Sequence, residues 1–131
     1  DSWVNDHGND ALRQTVFAAV ADVGRLNPGF PDDWLNDKAK GFIPDRVSGD
    51  TSEWVPVLNV GGVQIFAARP EVLLAMKLLA GRGARDLPDL PSLVEACRVS
   101  TVNEAMLIFD GFYPYDEPKP AARRWLQVNL L

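Results

Sequence analysis

Between Pro70 and Gly81 the chain reads PEVLLAMKLLAG, and no other stretch constrains the fold as tightly. From Val72 to Ala80 nearly every side chain is apolar, so a helix here is apolar on almost all sides and should be buried against the β-hairpin expected before it and its other neighbours. Proline at the first helical position and glycine just past the last are the residues that start and stop such a helix. The one charge between Val72 and Ala80 is Lys77. A buried ammonium is costly unless it is paired. Two explanations fit: the stem packs while the amine reaches water, or the amine is aimed into a cleft where it holds a phosphate or a carboxylate.

The segment that follows, Arg82-Gly83-Ala84-Arg85-Asp86-Leu87-Pro88-Asp89, places two arginines and two aspartates close behind Lys77. Asp86 or Asp89 can cap the next helix while Arg82 and Arg85 stay solvated. Alternatively the carboxylates pair with Lys77 and the arginines, and an ionic cluster stays charged at a cleft edge.

The rest of the chain supplies the frame. Residues 9–26 read as an amphipathic helix capped by Asn9 or Asp10, with Leu12, Val16, Ala19 and Val23 at helical spacing. LNPGFPDD breaks it, and DDWLNDKAKGF is expected to form a short helix ending near Gly41. IPDRVSGDTSE reads as loop. EWVPVLNV and VQIFAAR are β-like runs joined by Gly61-Gly62, a hairpin signal, with Pro56 favouring an edge position. After the turn-rich link 81–91 come PSLVEACRV, then STVNEAMLIFDGFYP with Ser100 or Thr101 as cap and Glu104 as its partner, then a last helix docking Trp125 and Leu126. The expected class is α+β: a small β-hairpin packed with five or six helices. The expected organisation is one compact unit with residues 1–68 as core and 69–131 as a helical region.

Composition excludes several classes. No apolar run approaches the ~20 residues that span a bilayer, so no membrane partner is expected. A single cysteine, Cys97, rules out an internal disulfide and reads as a small buried hydrophobe. One cysteine and one histidine, His7, leave no zinc site to build, and His7 sits in a polar stretch where solvation explains it. A net charge of −5 argues against broad phosphate-driven binding of nucleic acid while leaving room for a local basic pocket. Trp3, Trp34, Trp54 and Trp125 read as anchors of apolar clusters, and Lys38 and Lys40 as solvated. Phe109, Phe112, Tyr113 and Tyr115 make either an aromatic patch beside DEPKP or ordinary helix-end packing.

The run Ala68-Arg69-Pro70-Glu71-Val72-Leu73-Leu74-Ala75-Met76-Lys77-Leu78, followed by Arg85-Asp86-Leu87-Pro88-Asp89-Leu90, resembles bacterial minimal nucleotidyltransferases. The resemblance is to their abortive-infection and toxin–antitoxin branch. It extends upstream to Trp34-Leu35-Asn36-Asp37 and Gly41-Phe42, and covers roughly residues 30–95. It implies a nucleotidyltransferase-like fold in which Mg²⁺ and a nucleoside triphosphate are held by a D-x-D pair after a Gly-Ser turn. It also implies Lys77 steadying phosphate charge with Arg82 and Arg85 nearby, and Asp86, with Asp89 second, as a base or as the group that holds the lysine. The expected acceptor is tRNA, the expected partner a cognate antitoxin, and the expected location the cytoplasm.

This sequence contains no Gly-Ser turn followed by D-x-D. The resemblance puts Asp1 at the second aspartate of that pair, as a metal ligand, which makes the 131 residues the carboxyl-terminal portion of such a domain. Transfer activity is therefore not expected of them alone, nor tight binding of metal or nucleotide. An incomplete sheet leaves apolar surface uncovered, from which self-association or a tight partner follows. The competing reading is a non-catalytic interaction module on a degenerate transferase fold; a third is a helical accessory domain whose Lys77 merely snorkels.

Overall fold

A computed structural model describes residues 4, 8–32, 34–36, 38–48 and 51–131, which fall into two units, Asp1–Gly41 and Phe42–Leu131. Asp1 and His7 lie outside the described residues, so the metal role expected for Asp1 has no structural account here.

In the first unit the Asn9 side chain accepts from the Leu12 N–H at 3.1 Å and starts helix α1, Asp10–Leu26. Val16, Phe17 and Val20 are half-buried, Leu12 and Val23 are exposed, and no residue of α1 is fully buried. Trp34 anchors the following segment: its indole N–H donates to the Val20 carbonyl at 3.0 Å and its ring tilts against Phe30 at 5.3 Å. The helix expected over DDWLNDKAKGF does not form among the described residues, which make turns and a 3-10 turn at Lys40–Phe42. Asp and Asn compete with helical hydrogen bonds, and too few residues follow to repay nucleation. Asp33 and Asp37 lie outside the described residues.

The second unit holds both the hairpin and the helices that follow. Its elements are α2 (Asp45–Ser48), β1 (Trp54–Val60), β2 (Val63–Ala68), α3 (Pro70–Ala80), α4 (Gly83–Asp86), α5 (Leu90–Ala96), α6 (Val102–Phe112) and α7 (Pro120–Asn129), with 3-10 turns at Thr51–Glu53 and Leu87–Asp89. The class is α+β.

The strands pair antiparallel, Trp54 opposite Ala68 and Val60 opposite Val63, with an irregularity between Pro56 and Leu58. Gly61 and Gly62 take φ of +56° and +79°, the left-handed pair that a two-residue turn needs to match strand twist. Pro70 opens α3 and Gly81 closes it at φ +52°. The Thr101 side chain accepts from the Glu104 N–H while the Glu104 carboxylate accepts from the Thr101 N–H, a reciprocal box that starts α6.

Helix α3 is the centre of the unit. Val72, Leu74, Ala75 and Leu78 are buried against α5, α6 and α7, together with Leu90, Val94, Ala105, Phe109, Ala122 and Leu126. Among the described residues, the hairpin reaches this core through its Trp54 and Ala68 end. Helices, rather than the hairpin, therefore enclose the apolar run. Phe109, Phe112 and Tyr113 are buried in the same cluster while Tyr115 is 97% exposed, so these rings pack the end of α6 and form no patch. No described helix is long and apolar enough to cross a membrane.

Candidate functional site

The link 81–91 is expected to be turn-rich; it folds as α4 and a 3-10 turn that run straight into α5, where a helix is expected. Pro88 and Pro91 each sit in the first turn of their element, where a missing N–H costs nothing. That tight winding turns Asp86 inward under the end of α3.

Asp86 is fully buried and its side chain caps no helix. Oδ1 accepts from Lys77 Nζ at 3.0 Å and from an Arg82 terminal N–H at 3.1 Å. Oδ2 accepts from the Arg82 Nε–H at 2.8 Å and from the Arg82 backbone N–H at 2.9 Å. Four donors on one carboxylate satisfy it completely. Lys77 reaches onward, and its Nζ also lies 2.8 Å from Asp89 Oδ2. The Lys77 side chain is 25% exposed, Arg82 38% and Asp89 53%, so the cluster is closed at Asp86 and open at Asp89. Of the two explanations for Lys77, plain snorkelling is replaced by pairing to two carboxylates.

The electrostatics follow the geometry. Burial on its own raises the Asp86 pKa, but the Arg82 side-chain and backbone hydrogen bonds and the bond from Lys77 overcome it and hold the carboxyl at about 2. Burial lowers the Lys77 pKa, and the hydrogen bonds to Asp89 and Asp86 with their negative charges reverse this and raise it. The hydrogen bond to Asp86 likewise raises Arg82. At neutral pH the cluster is two cations and two anions. A carboxylate saturated by donors and held near pKa 2 is a poor proton acceptor, so Asp86 positions Lys77 rather than serving as a base.

An ammonium carries three donors. Two are engaged by Asp86 and Asp89, which leaves one for an oxygen from solution. Arg85 is exposed on α4. The cluster can therefore hold one anionic oxygen at its open side. It does not fit a divalent cation: three of the four acceptor contacts on Asp86, and the one on Asp89, come from charged side chains. Among the described residues no group of His, Cys, Asp or Glu is arranged to hold a metal ion.

Two neighbours escape sequence reasoning. The Phe42 ring lies under the Arg82 guanidinium at 5.7 Å, and the Phe42 carbonyl accepts from the Tyr113 hydroxyl. Nothing in the spacing of Phe42, Arg82 and Tyr113 announces this. The Lys119 N–H donates to the Leu78 carbonyl at 3.0 Å, seating the start of α7 on the end of α3 beside Gly81.

Cys97 is half-buried rather than buried. Desolvation, with Glu71 nearby, pushes its thiol up to about 11, so it is a packing residue and not a nucleophile. No protein-family model matches the chain, and no curated protein or solved structure matches it.

Proposed function

We propose that the chain is the carboxyl-terminal portion of a bacterial, cytoplasmic nucleotidyltransferase-like domain of the toxin type. In its intact form it transfers a nucleotide from a nucleoside triphosphate to an RNA acceptor, tRNA in the first instance. The observation that carries this reading is Lys77, clamped by a buried Asp86 on one side and an exposed Asp89 on the other. Holding an ammonium in one orientation with a donor to spare suits the steadying of phosphate charge. Such stabilisation works best when the donor is fixed before the charge arrives.

Within that reading Asp86 and Arg82 fix the Lys77 side chain, and an incoming phosphate oxygen takes the ammonium's third donor beside Asp89. Arg82 and Arg85 add positive potential beside it. The Mg²⁺ and triphosphate sites require a D-x-D pair that these 131 residues do not contain. The partners on this reading are tRNA, a cognate antitoxin, and a second copy of the chain.

A second reading, a non-catalytic interaction module, is favoured by one observation. The cluster is electrically balanced and its buried carboxylate is already satisfied, as in a purely structural clip. The discriminating experiment is incubation of protein that includes a Gly-Ser/D-x-D segment encoded upstream of Asp1 with labelled nucleoside triphosphates and tRNA. Label on the tRNA supports the transferase. Its absence with every nucleotide, or an upstream frame that lacks the motif, leaves the interaction module.

A further inference from the structure

The hairpin is uncharged: from Trp54 to Ala68 there is no Asp, Glu, Lys or Arg, in a chain where those residues make up 24%. Its two strands are all the sheet the described residues form, and each has a second edge that no described strand pairs. The two edges differ. β1 carries Pro56, which lacks an N–H, and an irregular register between Pro56 and Leu58; both features block continued pairing. β2 runs Val-Gln-Ile-Phe-Ala-Ala without proline, bulge or charge, which are the devices that keep an edge from pairing. Along β2, Val63 and Ile65 are 61% and 48% exposed; Leu58, across from Ile65, and Val55, across from Ala67, are 53% and 45% exposed on the same aliphatic face.

We propose that β2 is a self-association edge, through which two copies of this chain pair β2 to β2, antiparallel, about a two-fold axis. The occupant is argued from charge and symmetry. An antiparallel pair of identical strands is self-complementary across a two-fold. With net charge −5 per copy, two chains repel on average, and an uncharged segment of fifteen residues is where they can meet without opposing like charges. The pairing joins two hairpins into a four-stranded sheet, the size at which a sheet gains independent stability. This deepens the self-association of the transferase reading but rests on the hairpin alone, and its test reads no nucleotide chemistry.

The test is sedimentation velocity on the 131-residue chain over a hundredfold concentration range, with hydrogen exchange at both ends of that range. The expected result is a reversible monomer–dimer equilibrium in which β2 amides gain protection as the dimer fills. Ile65→Lys, at an exposed position, should weaken the dimer at least tenfold by placing lysines close across the two-fold. Leu107→Lys, at a more exposed apolar site on α6, should leave it unchanged. A chain that stays monomeric throughout overturns the proposal, as does a dimer in which β2 gains no protection or Leu107→Lys weakens association as much as Ile65→Lys.

Discussion

Replacing Asp86 by asparagine keeps the shape of the side chain and removes the charge that Lys77 and Arg82 share. The wild-type carboxyl is displaced from its ordinary 3.8 to about 2. Because the folded pKa is lower than the unfolded one, its stabilisation is complete above the unfolded value and is lost as pH falls through the folded value. The displacement corresponds to roughly 2–3 kcal/mol of stability at pH 7, lost between about pH 5 and pH 2. Asp86→Asn forfeits this and also turns an amide N–H toward cationic donors. Lys77 keeps Asp89 and Arg82 keeps partial access to water, so the expected cost is about 2–4 kcal/mol, below that of a fully stranded buried charge. The assay is urea unfolding followed by circular dichroism at pH 7, 5, 3 and 2, comparing wild type with the variant. Other carboxylates titrate in both proteins, so the difference between the two curves isolates Asp86. That difference should be largest at pH 7 and shrink toward pH 2. Parallel curves, or a cost below about 0.5 kcal/mol at pH 7, would refute the account of Asp86 as the group that fixes the cluster.

Two further substitutions test how the frame holds that cluster. A Cβ at Gly81 would stand 2.3 Å from Lys119 Cβ on a backbone with φ of +52°, so Gly81→Ala combines overpacking with left-handed strain. It should cost about 3 kcal/mol and lower Tm by roughly 10 °C in thermal unfolding; a shift within about 2 °C would mean that α7 does not sit on α3 as described. Arg98 takes φ +55° at the end of α5, where the Val99 N–H donates to the Val94 carbonyl at 2.8 Å in the manner that favours glycine. Arg98→Gly should therefore raise stability by about 0.5–1 kcal/mol in urea unfolding; a loss would show that the arginine side chain contributes more than its backbone costs.

What could be read from sequence divides along a physical line. The Gly61-Gly62 turn, the Pro70 start and Gly81 stop of α3, the Asn9 cap and the Thr101–Glu104 box are all local chemistry, and each stands where its residues put it. The apolar character of α3 announced burial but not its neighbours, since periodicity says nothing about which elements supply the cover. The glycines and prolines of 81–91 announce turns, but Pro88 can end a helix or begin one, and only the packing against α3 decides. Lys77, Asp86 and Asp89 were legible as a group from spacing; that Asp86 is the buried, saturated member and Asp89 the open one depends on the same packing. Among the described residues of 32–42 no α-helix forms, because Asp and Asn compete for its hydrogen bonds, and Phe42 beneath Arg82 left no local trace.

The central claim is that Lys77 is held ready for a phosphate oxygen. Where the upstream frame encodes a Gly-Ser/D-x-D segment, its most direct test is the rate of nucleotide transfer to tRNA by protein that includes that segment, comparing wild type with Lys77→Ala after unfolding curves have shown that the variant is folded. Loss of one fixed charge-stabilising donor predicts a fall in kcat of about 10²–10³ with modest change in KM. A folded Lys77→Ala variant that transfers nucleotide within about threefold of wild type would contradict the claim and leave Lys77 as a structural partner of Asp86.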